Sequence, residues 1–337
     1  MLIQNLANGQ EIVLSQPFSV SQYQNAAAAG AGSYDSRFQA NYRNPVIDGV
    51  SGLFQTATFS LDSRIGKEVE EISRNYFGYG ILFVNDRVMN GVMQNNYFTA
   101  NVAYHIFLDD NLYSHLAGGI GVTYTRTSLD NSRLRFGDQY DYRDLLTYAS
   151  TLENIAAYPK SLSFNAALMY TRHDGKKFLQ TGAMVYKYDK PNVTYTPLNK
   201  ASDFSYRAFA NADISMSETD DGDEGNSILF NVNYLNSGTK NQLTVGGYMG
   251  LKIKKDYDAL YKMYLGCMYK LNQSYSPTLA FILNKNTIGM SYDIYTNNVT
   301  SANIRMSAFE FTFARKLDFS RMKYTDNKAG RMRTLFD

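Results

Sequence analysis

Few side chains in this sequence are equipped for acid–base or metal chemistry. Its 337 residues include three histidines (His105, His115 and His173) and one cysteine, Cys267. Metal sites draw three or four Cys, His or acidic ligands from short recurring spacings, and no such spacing occurs here. His105 and His173 occupy polar positions of alternating stretches, and His115 stands near the start of another. A lone histidine in that setting reads as a hydrogen-bonded residue of a polar interior. Hydrolysis by a Ser–His pair needs a serine held beside the ring, and none can be assigned to His105. The acidic run 218–224 (Glu-Thr-Asp-Asp-Gly-Asp-Glu) lacks the ligand spacing of an EF-hand loop and reads as a solvated turn. Gly118-Gly119-Ile120-Gly121 lies inside a strand pattern and opens no helix, so it is no phosphate loop; glycine there suits a curved or crowded wall. No catalytic residue, metal or cofactor is expected. The 33 Lys and Arg against 31 Asp and Glu are scattered rather than striped, which argues against a nucleic-acid partner.

The elements carrying these residues are strands. In 96–127, Phe98, Ala100, Val102, Tyr104, Ile106 and Leu108 alternate with Thr99, Asn101, Ala103, His105 and Phe107. After Asp109-Asp110-Asn111, Leu116, Gly118, Ile120, Val122 and Tyr124 alternate with Ala117, Gly119, Gly121, Thr123 and Thr125. A period of two marks a strand with unlike faces. Each arm runs to about 12 residues, longer than the usual strand of about 5–6 and long enough for the roughly 9–11 that cross a bilayer. One face is oily and the other small and hydroxylated. The hairpin alone fits either a membrane barrel, with the small face lining a lumen, or one leaf of a large soluble β-sandwich.

Charged residues make up 19% of the chain, below the usual figure of about 25% for soluble proteins. No apolar run of about 20 residues could cross a membrane as a helix, but alternation hides a barrel from that test. The 28 tyrosines suit a bilayer interface as well as a strand. The patterning predicts about 14 strands, at 34–43, 52–63, 76–85, 96–108, 112–127, 161–172, 178–188, 204–217, 227–235, 242–254, 259–271, 277–283, 287–295 and 304–317. Cys267 falls among the oily alternates Tyr261, Met263, Leu265, Tyr269 and Leu271 and reads as a small hydrophobe. Glu310, in a strand otherwise showing Phe309, Phe311 and Phe313, is intelligible on a polar lumen face and costly on a lipid face. The expected organisation is a non-strand N-terminal segment at 1–32, periplasmic or plug-like, an antiparallel barrel at 33–317 and a periplasmic basic tail at 318–337. The longest connection, 128–160, is expected outside the cell. Residues 1–15 carry no export signal, so an outer-membrane location requires numbering on a mature or trimmed chain.

Taken in order, Phe18-Ser19-Val20-Ser21-Gln22-Tyr23, Ala28-Ala29-Gly30, Asn41-Tyr42-Arg43, Gly78-Tyr79-Gly80, Leu134–Asp141 and Ile288-Gly289-Met290-Ser291-Tyr292-Asp293 resemble the PorP/SprF family of type IX secretion outer-membrane proteins. The likeness spans nearly the whole chain. Asn25-Ala26 stands where the family commonly has Asn-Pro, Asn44-Pro45 follows Arg43 in place of Gln-Trp, and Thr334-Leu335-Phe336 replaces a C-terminal Cys-Pro. These departures suggest a divergent paralogue.

The resemblance implies a Bacteroidetes outer-membrane barrel that serves secretion of large surface proteins, gliding adhesins among them, and that is no enzyme. The implied partners are secretion components of the periplasmic motor, a secreted adhesin-type protein and outer-membrane lipid. A lumen of about 14 strands is too narrow to pass a folded adhesin, so docking or anchoring is expected rather than conduction. The alternatives are a passive porin or small-solute transporter, favoured by the polar lumen face, and a soluble β-sandwich. The expected partner contacts are Phe136, Asp138, Gln139 and Tyr140 in the longest connection. Ser21, Gln22, Tyr23 and Gly30 are expected to tie the N-terminal segment to the barrel.

Overall fold

Alternation along the chain becomes a closed wall in the computed structural model, which describes residues 14–16, 19–32, 34–47, 49–65, 75–109, 113–134, 160–174, 177–188, 203–216, 225–237, 241–256, 259–296 and 306–317. The strands are β1 (Ser36–Ile47), β2 (Val50–Ser51), β3 (Phe54–Ile65), β4 (Asn75–Val88), β5 (Met93–Phe107), β6 (Ser114–Leu129), β7 (Ser161–His173) and β8 (Lys177–Tyr188). They continue as β9 (Asp203–Ser215), β10 (Ser227–Asn236), β11 (Asn241–Asp256), β12 (Ala259–Lys270), β13 (Ser274–Leu283), β14 (Asn286–Tyr295) and β15 (Met306–Leu317). β1 pairs antiparallel with β3, each later strand pairs antiparallel with the next in sequence, and β15 pairs with β1 from Ser36↔Leu317 to Ile47↔Met306. Fourteen strands therefore form a ring, as the patterning predicts, while the two-residue β2 pairs only with β1 outside it. Closure leaves no unpaired edge, the condition for a sheet in hydrocarbon.

The outward set is apolar and bare: Ile120, Leu168, Ile81 and Phe164 are each 60–67% exposed. Apolar exposure on this scale, all round a sheet, has no stable home in water and suits hydrocarbon. Cys267 belongs to this outer set. The inward set is polar and covered: Asn101, His105, Asp62, Asp293 and Glu310 are buried. The soluble sandwich is thereby excluded, because the oily alternates face outward rather than a second sheet.

The two mouths of the ring differ. β1 begins and β15 ends at one, here called the chain-end mouth; the connections after β4, β6 and β12 lie at the opposite, far mouth. The longest connection, between Leu129 and Ser161, is at the far mouth. At the chain-end mouth Asp109 turns the chain by accepting the amides of Tyr113 and Ser114 at 2.7 and 3.0 Å. Slight desolvation would raise its pKa, but these donors outweigh it and hold the carboxyl below its ordinary range.

The described residues between Leu14 and Gly32 lie inside the ring, against the inward side chains of the wall. They form a single helical turn, Ser21–Gln24, and a 3₁₀ turn, Ala26–Ala28, too short to stand alone. Asn25 caps the second turn by accepting the amide of Ala27 at 2.8 Å. Ala26, Ala27, Ala28 and Ala31 pack on the wall residues Ala117, Ala167, Met169, Met184 and Phe209. Leu14 and Val20 pack on Leu82 and Val84. The expected contacts Phe136, Asp138, Gln139 and Tyr140, the acidic run 218–224 and the tail 318–337 lie outside the described residues.

Candidate functional site

Side-chain chemistry inside this barrel concentrates where wall and segment meet. The first reason is space. A β-carbon at Gly78 would lie 1.9 Å from the carbonyl oxygen of Ala29, and one at Gly119 would lie 2.5 Å from the amide nitrogen of Ala27. At Gly80 it would meet the Gln22 carboxamide at 2.2 Å. These wall glycines are the hollows that admit the segment's backbone. Gly30 is the reciprocal case: its φ of +71° is the left-handed region, and any β-carbon would strike Gly78.

The second reason is charge. Arg43, Lys270, Asp293 and Glu310 form a buried group of two cations and two anions. Arg43 donates to Asp293 at 2.6 Å and to Glu310 at 3.2 Å, and Lys270 donates to Asp293 at 2.9 Å. Charges removed from water are tolerated only when paired and saturated with hydrogen bonds, and the segment completes this set. Glu310 accepts the backbone amides of Ser15 at 2.6 Å and Gln16 at 2.8 Å, and the Asn41 carboxamide at 2.9 Å. The Ser15 hydroxyl donates to Asp293 at 2.8 Å and accepts from Lys270 at 3.0 Å and from Arg43. Ser15 and Lys270 thus stand at the spacing of a Ser–Lys nucleophile pair, but both donate into the Asp293 carboxylate and both are covered. The arrangement acts as a clamp on the segment.

Toward the chain-end mouth a second clamp repeats the scheme. Asp62 accepts the amide of Gly30 at 2.8 Å and the Tyr34 hydroxyl at 3.1 Å, and it is paired with Arg37 at 3.1 Å. Beside it His105 donates Nε2–H to the carbonyl of Ala29 at 2.8 Å, since a carbonyl can only accept. Its Nδ1 is then the acceptor, and His115 donates Nε2–H to it at 2.9 Å. The two rings are nearly parallel, their centroids 5.0 Å apart, and Tyr76 stacks on His105 at 4.4 Å.

Ser21, Gln22, Tyr23 and Gly30 each have partners on the wall. The Ser21 amide meets the Gln39 side chain at 3.1 Å. Gln22 donates to the Ser60 hydroxyl at 2.6 Å and accepts from Asn101 at 3.1 Å. The Tyr23 ring lies under the Arg207 guanidinium at 4.1 Å, and Arg207 also donates to the Tyr23 carbonyl. Gly30 is held by Asp62 as described. Asn25 was not singled out in the sequence, yet its carboxamide donates to the wall carbonyls of Leu168 and Ala183, each at 3.2 Å. Also unanticipated were the His105–His115 pair and the Arg43–Asp293–Glu310–Lys270 group. One signal was available: a charge at the inward parity of an otherwise neutral strand face, as at Glu310, demands an opposite charge within reach inside the lumen. Among the described residues no three His, Cys, Asp or Glu side chains come close enough to hold a metal ion.

A family model described as type IX secretion system membrane protein PorP/SprF matches residues 6–314. No curated protein matches the sequence. Among solved structures, the Ralstonia pickettii toluene transporter TbuX is similar at 9% identity and a TM-score of 0.46, over 88% of this chain and 93% of that one. A Pseudomonas aeruginosa FadL homologue is similar at 10% identity and 0.48, over 92% and 99%. CdiB from Escherichia coli is similar at 7% identity and 0.45, over 83% and 63%.

Proposed function

Because the chain belongs to the type IX secretion system membrane protein PorP/SprF family, we propose that it serves that system as a docking barrel in the outer membrane. It anchors a large secreted surface protein of the gliding-adhesin type in a Bacteroidetes cell, or the periplasmic motor components that drive secretion, and it does not itself conduct the cargo. The observation that supports docking over conduction is the occupied lumen. The described residues between Leu14 and Asp35 occupy it, and their amides and carbonyls are held by Glu310, Gln39, Arg207, Arg37, His105 and Asp62. A folded polypeptide has no way past such a segment, so contact with the secretion machinery falls to the two mouths.

The test is chemical cross-linking in intact outer membranes followed by affinity purification of the barrel. Recovery of type IX secretion components together with a large surface protein is the expected result. Purification of the cross-linked barrel with neither would overturn the reading.

A further inference from the structure

We infer that the outer wall at β4, β5 and β6 carries a site for a phosphorylated membrane lipid. Arg87, Asn96 and Arg126 take its phosphate, and its acyl chains lie on Phe83 and Phe98. The register sets the outward alternates of these strands in rows. One row is aromatic: Phe83 stands opposite Phe98, and Phe98 opposite Tyr124. The Phe83 and Phe98 rings are 4.8 Å apart, and Phe98 and Tyr124 are exposed. The next outward row lies two residues, roughly 7 Å, nearer the far mouth. It consists of Asn85, Asn96 and Arg126, with Arg87 one outward step beyond Asn85. A polar row directly above an aromatic one marks the level where hydrocarbon gives way to headgroups.

This polar row is built from donors. A guanidinium can only donate, so Arg87 gives its Nε–H to Asn85 Oδ1 at 3.1 Å. That fixes the Asn85 carboxamide, which donates in turn to Asn96 Oδ1 at 2.7 Å. The chain ends there. Among the described residues the Asn96 N–H groups have no acceptor, and the neighbouring, exposed Arg126 has no partner. Neither arginine has a carboxylate partner among them. Asp86, next to Arg87 in sequence, faces the lumen and accepts from Thr56 at 2.8 Å. Asp130, at the rim, accepts the amide and hydroxyl of Ser132.

Two cations and an unspent carboxamide thus stand at the headgroup level with nothing to receive their hydrogen bonds. The complementary group is anionic and oxygen-rich, with an apolar body reaching down over the aromatic row. A lipid phosphate meets each condition, and a guanidinium holds it through paired N–H bonds. The site lies on the outer wall and stands whether or not the barrel docks a secreted protein.

Native mass spectrometry of the folded barrel in detergent tests this with two lipids. Dioleoyl phosphatidic acid supplies the phosphate; dioleoylglycerol has the same chains without it. The expected result is that the parent retains phosphatidic acid and releases dioleoylglycerol. Arg87→Gln combined with Arg126→Gln should weaken retention by on the order of tenfold or more. Arg172→Gln combined with Arg315→Gln, which removes two exposed arginines at the opposite mouth, should leave it unchanged. Arg126→Gln alone breaks no contact among the described residues and should still weaken retention. Unchanged retention in Arg126→Gln, equal loss in the two double variants, or equal retention of the two lipids would overturn the site. So would displacement of the lipid by an equal concentration of free glycerophosphate, which would mean that the aromatic row holds no acyl chain.

Discussion

Arg43 and Glu310 are direct cross-strand neighbours at the seam where β1 meets β15, and their side chains join at 3.2 Å inside the lumen. The ion pair therefore sits on the closure of the barrel. Through the amides of Ser15 and Gln16, Glu310 also holds the segment inside the ring. Closing the wall and seating the segment are coupled at this point.

Glu310→Ala leaves Arg43 with only Asp293 as a close anionic partner and two backbone amides with no acceptor. Removing one member of a buried pair costs about 3–5 kcal/mol. Reversible urea unfolding of the barrel in lipid vesicles should show a loss of that order, with Glu310→Gln milder because the amide oxygen still accepts. Equal stability of Glu310→Ala and the parent would refute the clamp.

The wall glycines separate contact from mere strand position. Gly78→Ala drives a methyl into the Ala29 carbonyl and should cost at least the roughly 1–3 kcal/mol typical of overpacking. Gly247 has open space around its Cα, and Gly247→Ala should stay within about 0.5 kcal/mol. Susceptibility of the segment to protease should rise in Gly78→Ala alone. The same response in both variants would mean that the segment does not rest on Gly78.

Lumen occupancy is directly measurable. In a planar bilayer the undeleted barrel should show no steady conductance, and deletion of residues 14–32 should produce a persistent open pore. A steady current from the undeleted barrel would favour the small-solute transporter over the docking barrel.

The outer face is tested by a single charge. Ile120→Arg, at 67% exposure on the wall, should lower folding stability in vesicles by about 2–4 kcal/mol if that position lies near the bilayer midplane. Thr123→Arg would serve as its inward counterpart, where fit beside Thr99, 2.8 Å away on the neighbouring strand, rather than transfer into lipid sets the effect. An Ile120→Arg chain folding as well as the parent would count against lipid contact there.

Alternation with period two is a local property, written residue by residue. It was therefore legible without coordinates: the strand number, the outward set that includes Phe309 and Cys267, the inward position of Glu310 and the crowded wall at Gly119 all follow from it. Family resemblance added the outer-membrane setting, and the motif pieces Asn41-Tyr42-Arg43, Gly78-Tyr79-Gly80 and Ser291-Tyr292-Asp293 each turned out to place two inward residues around one outward tyrosine. What touches what across the lumen was not legible. Arg43 and Glu310 lie 267 positions apart and meet only because the ring closes in one register. His105 and His115 pair because the β5–β6 register sets His105 opposite Ala117, two residues from His115. Shear, closure and the path of a segment through the lumen are non-local. They depend on every strand at once, and only the folded barrel decides them.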